Sequence, residues 1–216
     1  MAQIKNQIKS RKRVANHAEV FTHEREVNAM LNLAKQETER IDSRFLEQAC
    51  GSGNFLIEIL NRKLNVVKNK YKKSQYDYER YSLLAITSIY GIDILKDNVE
   101  ECIQRLLEIF KKNYISLFKK KIKKEFLEII VFILQKNIIW GDALSMKNIK
   151  GMPIIFSEWS MPYNDMRIKR KDYVFKNIIA PSLLENFFTT SDTGEIVVLP
   201  NIIKDYPIVN YQDLKK

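Results

Sequence analysis

The chain has 216 residues, of which 45% are hydrophobic, so it is too apolar to be mostly disordered and long enough to form one domain with a sizeable core. Its longest apolar stretch, FLEIIVFIL at 126–134, contains a Glu and is too short to span a bilayer, so we expect a soluble, cytoplasmic protein with no membrane partner. The net charge of +10 favours a polyanionic partner such as DNA, although a lysine-rich composition throughout the chain explains the charge equally well.

The first segment along the chain is a basic arm. Residues 1–16 include IKSRKRV at 8–14, and we expect residues 17–216 to form a single domain, because no linker rich in Pro or Gly divides them. Residues 19–36 are predicted to form a helix that faces the core, since apolar residues recur there at helical spacing. They are Val27, Met30, Leu31 and Ala34.

Strands and helices then alternate along the chain. The predicted strands are 44–49, 88–94, 137–143 and 153–159. Helices with one apolar face follow the first two strands, one from Asn54 and one over 97–110, and a lysine-rich helical region continues to about residue 135. This alternation predicts an α/β fold with a doubly wound parallel sheet. In such a sheet ligands bind beyond the carboxyl ends of the strands.

The residues that follow the first three strands fit a ligand site. ACGSG at 49–53 contains two glycines, which permit positive φ and let the backbone approach a ligand, ahead of the unpaired N–H groups of a helix start. Asp93 is placed to accept hydrogen bonds from ribose hydroxyls, and Asp142 to accept one from an exocyclic amine. Each acid alone is equally well a helix N-cap or turn residue. The loop and both acids in this order indicate a binding site.

The cysteines and histidines predict neither a metal centre nor a disulfide framework. Cys50, Cys102, His17 and His23 lack the paired spacing of metal ligands. We therefore expect no bound metal and two reduced thiols.

Two segments resemble motifs of a known family. ACGSGNF at 49–55 resembles the S-adenosylmethionine loop of DNA amino-methyltransferases, whose usual form is Asp-Pro-Ala-Cys-Gly-Ser-Gly-Asn-Phe. VFTHEREVNAML at 20–31 is similar to their Phe-x-Thr-Pro segment. This order of motifs is that of adenine-N6 enzymes of restriction–modification systems, and the resemblance covers about residues 14–160. It implies a Rossmann-like doubly wound sheet of the class I S-adenosylmethionine-dependent methyltransferase type.

The resemblance implies a role for each matching residue. Phe21 and Thr22 would lie near the methionine carboxylate, and a second set would surround the rest of the methionine part. That set is Glu47, Ala49, Gly51 and Gly53. Asp93 would hold the ribose, Ile94 would pack on the adenine ring, and Asp142 would accept from its amino group. His23 replaces a proline and Glu47-Gln48 replaces Asp-Pro, which we expect to lower affinity because the loop loses a rigid residue.

The catalytic motif of the family, Asn/Asp/Ser-Pro-Pro-Tyr/Phe/Trp, has no full match. SMPY at 160–163 fits three of its four positions, so the resemblance implies Ser160, Pro162 and Tyr163 as catalytic residues. Ser157 and Trp159 lie closer to the end of the predicted strand and are the alternative. An ordinary turn with a packed tyrosine also explains SMPY. The polar side chain would accept from the target amine, and the aromatic ring would stack on a flipped-out base.

Three functions follow from these expectations. The first is an S-adenosylmethionine-dependent DNA methyltransferase, of adenine-N6 type, in a restriction–modification system. The second is a non-catalytic subunit that binds the cofactor or DNA and needs a partner chain. The third is a methyltransferase that acts on RNA or protein. We expect residues 17–216 to include no separate target-recognition domain, and therefore expect a specificity or recognition subunit as partner. A phosphate-contacting patch is predicted at Arg167, Lys169, Arg170 and Lys171.

Overall fold

The computed structural model of the protein describes residues 9–17, 19–179, 188–190, 196–198 and 202–215. The α-helices are α1 Arg11–His17, α2 Glu24–Leu33, α3 Lys35–Glu39, α4 Asn54–Tyr71, α5 Gln75–Thr87, α6 Lys96–Phe118, α7 Lys124–Asn137 and α8 Phe175–Ile179. The strands are β1 Phe45–Glu47, β2 Ile89–Asp93, β3 Ile138–Asp142, β4 Lys147–Asn148, β5 Ile155–Ser160, β6 Arg167–Val174, β7 Phe188–Thr190, β8 Ile196–Val198, β9 Ile202–Asp205 and β10 Val209–Asn210. Short 3-10 helices occupy Lys119–Lys121 and Tyr211–Asp213.

The first sheet has the order β1-β2-β3-β4, in which β1, β2 and β3 are parallel and β4 is antiparallel to β3. The predicted α/β class is confirmed, with a mixed rather than an all-parallel sheet. Glu47 stands opposite Gly91, and Asp93 stands opposite Trp140. This register brings the carboxyl ends of the three parallel strands to one edge.

Helices α4 and α6 cover one face of this sheet. A Cβ on Gly91 of β2 would stand 2.9 Å from Leu56 Cδ1 of α4, so the missing side chain lets helix and strand pack closely. Buried apolar residues recur every three or four positions on both helices, which is the spacing of one helical face. They are Leu56, Ile59, Leu60 and Leu64 on α4, and Val99, Cys102, Leu106 and Phe110 on α6.

Helix α4 continues beyond the amino ends of the strands, as the contacts of Lys63 show. This side chain is fully buried in the middle of α4, and its Nζ donates to the Ser43 carbonyl, the Ile41 carbonyl at 3.2 Å and the Ser88 hydroxyl at 2.5 Å. Those acceptors immediately precede β1 and β2. Burial lowers the pKa of Lys63 to about 7. Helix α4 runs on for two more turns to Tyr71, where α5 packs against it.

The second sheet is antiparallel, with β5 and β6 paired and with β9 and β10 also paired to β6. It faces the other side of β1–β3. The Tyr90 hydroxyl of β2 donates to the Ser157 carbonyl at 3.0 Å, and its ring meets Phe156 edge-on at 5.5 Å. Ile154, just before β5, lies beside Gly141 of β3. The main layers are therefore helices, a mixed sheet and an antiparallel sheet.

The prediction that residues 153–159 add a parallel strand to the first sheet is wrong. The twelve residues between β3 and β5 contain no helix, and they form β4 and a turn at Gly151 with φ +74°. A parallel connection needs a crossover of a dozen or more residues, usually a helix. Without a helix the chain instead folds back, and β5 enters a different sheet.

Helix α2 is shorter than predicted. Residues 19–23 are not helical, and Ala34 has φ −114° and ψ 35°, which ends α2 after Leu33. Val27 and Leu31 are buried as expected, whereas Met30 is 56% exposed. The non-helical residues ahead of α2 are free to form a wall of the pocket described next.

Candidate functional site

A pocket of about 540 Å³ opens at the carboxyl ends of β1, β2 and β3, a volume typical of small-molecule sites. Eight of the nine residues predicted to contact a cofactor line it. They are Phe21, Thr22, Glu47, Ala49, Gly51, Asp93, Ile94 and Asp142. The ninth, Gly53, directly precedes α4 at the pocket. The structure thus brings together residues from four separate segments of the chain.

The glycine loop is fixed in a conformation that other residues adopt poorly. Gly51 has φ +51° and Gly53 has φ +88°. A Cβ on Gly53 would stand 2.5 Å from Cys102 Sγ, and one on Gly51 would stand 3.2 Å from the Phe21 ring. The Gly53 amide donates to the Cys50 carbonyl at 2.8 Å, which closes the turn. Both glycines are needed for the turn and for close packing.

Asp93, at the end of β2, ties the glycine loop to the sheet. Its Oδ2 accepts from the Gly51 amide at 2.8 Å, and its Oδ1 accepts from the Leu95 amide at 2.8 Å and from Asn98 Nδ2 at 3.2 Å. The residue is 8% exposed. A carboxylate accepts about four hydrogen bonds, so these three donors leave capacity for one more from a ligand hydroxyl.

Glu47, at the end of β1, is the least satisfied polar group of the pocket. Its Oε2 is buried without a hydrogen-bond partner. Burial, and secondarily the nearby charge of Asp93, raises the pKa of Glu47 to about 7. A buried carboxylate without donors is costly, and a cationic or N–H-donating ligand group removes that cost.

Asp142 and Ile94 form the wall on the β3 side. Asp142 Oδ1 accepts from the Leu144 amide at 2.9 Å, and a hydrogen bond from the Ser145 side chain lowers the pKa of this carboxyl. Ile94 is 53% exposed, and its carbonyl accepts from Trp140 Nε1 at 3.0 Å. An ionised acceptor and an exposed apolar side chain on one wall suit a flat heterocycle with an amino group.

A hydrogen-bond network that sequence reasoning missed, the polar relay, fixes the position of the glycine loop. Arg105 Nη1, on α6, donates to the Ser52 carbonyl at 2.7 Å, to Ser52 Oγ at 2.9 Å and to Asn54 Oδ1 at 2.9 Å. Asn54 Nδ2 in turn donates to the Thr22 carbonyl at 3.0 Å. The relay connects α6, the glycine loop and the segment before α2, so three walls of the pocket keep their positions together.

The basic arm closes a further side of the pocket through ion pairs. Arg13 contacts Glu19, a pocket residue, at 2.5 Å, and Asp97 at the start of α6, also at 2.5 Å. The Arg13 guanidinium lowers the pKa of Asp97 to about 2. Glu19 Oε1 also accepts from Asn98 Nδ2 at 2.7 Å, and Asn98 contacts Asp93. Sequence reasoning missed Glu19 because no local motif marks it.

The structure does not bring the predicted catalytic residues, Ser160, Pro162 and Tyr163, to the pocket. The Tyr163 carbonyl accepts from Arg80 Nη2 at 3.0 Å, and Arg80 belongs to α5, which leads into the amino end of β2. SMPY therefore lies beyond the amino ends of the strands, whereas the pocket lies at their carboxyl ends. The expectation that SMPY lies at the pocket is therefore corrected. Strand β5 runs in the opposite direction to β1–β3, so the residues that follow it are at the opposite end of the sheet.

The alternative catalytic residues, Ser157 and Trp159, are buried in the second sheet's packing. Trp159 is 4% exposed, and its Nε1 donates to Oδ1 of Asn137, which immediately precedes β3. Ser157 Oγ donates to Asp172 Oδ1 at 2.8 Å. Neither side chain lines the pocket. Their role in this structure is packing and hydrogen bonding.

The predicted phosphate-contacting patch falls on β6, and acids neutralise most of it. Arg167 pairs with Asp165 at 2.7 Å, Lys169 with Asp205 at 3.0 Å and Arg170 with Asp172 at 2.7 Å. Paired cations attract a phosphate less strongly than free ones.

Comparison of the chain with protein-family models, curated proteins and solved structures finds no match. Over the residues that the structure describes, no helix has the length and apolar character needed to cross a bilayer, and no group of three or more His, Cys, Asp or Glu side chains is arranged to hold a metal ion.

Proposed function

We propose that this pocket binds S-adenosylmethionine and that the protein is a methyltransferase domain acting on DNA, of the adenine-N6 type. The observation that carries the proposal is the buried, unpartnered Oε2 of Glu47 beside the glycine loop. The ammonium group of the methionine part of this cofactor would supply the hydrogen-bond donor that Glu47 lacks. The resemblance of ACGSGNF to the cofactor loop of DNA amino-methyltransferases points to the same ligand.

Each remaining part of the cofactor has a matching group in the pocket. The methionine part would lie against the backbone of Gly51 and beside Glu47, both of which line the pocket. The ribose would use the remaining acceptor capacity of Asp93, and the adenine would lie between Ile94 and Asp142. The bound cofactor would supply an electrophilic methyl group, while the residues of the chain hold and orient it.

A second function is favoured by a specific observation. Tyr163 lies at the end of the sheet opposite the pocket, and neither Ser160 nor Tyr163 is among the described residues that line it, so the segment expected to polarise the amine and stack on the base is not at the methyl donor. A cofactor-binding modification subunit, completed by a partner chain that supplies catalytic and recognition residues, fits that placement.

Methyl transfer separates these functions. The purified chain is incubated with S-adenosylmethionine labelled in its methyl group and with DNA oligomers that contain or lack adenine. Incorporation only into adenine-containing DNA supports the adenine-N6 enzyme. Cofactor binding without incorporation identifies the subunit, and incorporation into RNA or protein but not DNA contradicts the DNA assignment. Absence of cofactor binding contradicts both proposed functions.

A further inference from the structure

The positive charge of the chain is concentrated in two segments. Residues 68–73 and 111–124 together contain eleven lysines and no acidic residue. The whole chain has 36 basic and 26 acidic residues, so the remainder holds 25 basic and 26 acidic residues. Without these two segments the chain would be close to neutral, so they hold a share of the positive charge far above their share of the length.

The fold brings the two segments together at one pole of the protein. Gln75 lies two residues after the first segment, and its Nε2 donates to the Lys121 carbonyl at 2.7 Å and to the Tyr114 hydroxyl at 2.9 Å, both in the second segment. The rings of Tyr78 and Phe118 pack at 5.2 Å beside this contact. The carboxyl ends of α4 and α6 and the start of α7 thus meet. The lysine cluster of this pole consists of Lys68, Lys70, Lys72, Lys73, Lys111, Lys112, Lys119, Lys121 and Lys124.

Seven of these lysines are exposed, Lys68 and Lys111 are half-buried, and none has an acidic partner among the described residues. None of the nine takes part in an ion pair among the residues that the structure describes, whereas the neighbouring Lys123 pairs with Glu79 at 2.7 Å. The dipole of a helix favours cations only in its last turn, which accounts for Lys68 and Lys70 on α4 but not for nine lysines. Clustered like charges repel one another, and a polyanion removes that repulsion.

We propose that the lysine cluster binds the phosphodiester backbone of nucleic acid without reading its sequence. Among the described residues of this pole, the exposed large apolar side chains are Tyr76, Ile115 and Tyr163, too few to anchor the surface in a lipid bilayer. Flexible lysines contact phosphates as point charges, which gives affinity without base recognition.

The cluster lies far from the cofactor pocket. Helix α4 begins at the glycine loop and has 18 residues, so its carboxyl end lies about 27 Å from that loop at 1.5 Å per residue. Nucleic acid held by the cluster is therefore a stretch that anchors the protein, distinct from any base that enters the pocket. The inference does not rest on S-adenosylmethionine binding, since the cluster would act equally in a chain that binds no cofactor.

Fluorescence anisotropy with labelled DNA and RNA duplexes of about 20 base pairs, without S-adenosylmethionine and at several salt concentrations, tests the proposal. The variant Lys72→Ala/Lys73→Ala/Lys121→Ala removes three cluster charges. The control Lys35→Ala/Lys147→Ala/Lys150→Ala removes three exposed charges elsewhere, so both variants have the same net charge. We expect the cluster variant to bind at least about tenfold more weakly and to lower the slope of log Kd against log salt by about 2 to 3, at about 0.9 per lost phosphate contact.

Binding of both duplexes, or of one kind alone, supports the proposal. It also shows whether the cluster binds DNA, RNA or both. Equal weakening in the two variants would overturn it, because net charge alone would then explain binding. Absence of binding to either duplex at low salt would also overturn it. So would cluster-dependent binding to vesicles of phosphatidylserine and phosphatidylcholine in place of the duplexes, which would identify a membrane surface.

Discussion

Glu47 and Asp93 end two neighbouring parallel strands at the same pocket, yet their carboxylates are satisfied very differently. Asp93 accepts three hydrogen bonds from the protein, whereas Glu47 Oε2 is buried without a partner. The hydrogen bonds of Asp93 thus stabilise the pocket, whereas Glu47 has an acceptor oxygen available to a ligand. The two acids play separate parts although both follow a strand.

The first prediction concerns the pH dependence of cofactor affinity. Because the pKa of Glu47 is raised to about 7, its carboxylate is mostly protonated at pH 6 and mostly ionised at pH 7.5. Only the ionised form attracts an ammonium group, so affinity for S-adenosylmethionine should rise by about tenfold over this interval. Calorimetric titration at both pH values measures the change.

The variant Glu47→Gln should bind S-adenosylmethionine weakly, and its affinity should change little between the two pH values. The exposed Glu125→Gln is the matched control and should behave as the natural protein does. An equal rise of affinity with pH in Glu47→Gln would show that another group titrates.

The second prediction concerns the stability of the protein without cofactor. The pKa of Glu47 is raised in the folded state from its ordinary 4.5 to about 7, so the folded state binds the proton more tightly. The resulting stabilisation is complete below pH 4.5 and is lost as pH rises through 7. Denaturant unfolding should show the free energy of unfolding of the natural protein falling by up to about 3 kcal/mol relative to Glu47→Gln over this range. Parallel pH profiles of the two proteins would contradict the assigned pKa.

The third prediction concerns Asp93. Replacement by Ala leaves the Gly51 and Leu95 amides without their acceptor, which should lower the free energy of unfolding by about 2 kcal/mol and abolish cofactor binding. Asp93→Asn keeps one acceptor oxygen and should retain part of the stability. Thermal unfolding and calorimetry measure the two effects, and unchanged cofactor affinity in Asp93→Ala would remove the ribose assignment.

The fourth prediction compares two glycines with similar backbone conformation. Gly53 has φ +88° and Gly151 has φ +74°, so an Ala at either position strains the backbone by about 1 kcal/mol. A Cβ on Gly53 also meets Cys102 Sγ at 2.5 Å, whereas a Cβ on Gly151 meets nothing within 4 Å. Gly53→Ala should therefore destabilise the protein more than Gly151→Ala and weaken cofactor binding. Equal thermal shifts would show that the loop is loosely packed.

Local sequence was sufficient to predict β1, β2 and β3 and the pocket at their carboxyl ends. The glycines of the loop follow β1, and the acids end β2 and β3. Because these strands are parallel, their carboxyl ends lie at one edge of the sheet. The periodicity of α4 likewise predicted its start at Asn54. These features depend on residues that lie close together along the chain.

Features that depend on distant pairing could not be predicted in this way. The apolar residues of β5 indicate a strand but do not reveal its partner, and the signal against parallel pairing was a connection from β3 that holds Gly151 and Pro153 instead of a helix. Arg105 donates a hydrogen bond to Ser52, which lies 53 residues away in the sequence, and Asn98 donates one to Glu19, which lies 79 residues away. No local motif marks such pairs, so only the fold reveals them.

Isothermal titration of the purified chain with S-adenosylmethionine tests the central claim most directly. The account predicts one site with micromolar affinity in the natural protein and a large loss of affinity in Glu47→Gln, with S-adenosylhomocysteine competing for the same site. Absence of binding at pH 7.5, or binding that Glu47→Gln leaves unchanged, would contradict the assignment of the pocket at the ends of β1, β2 and β3.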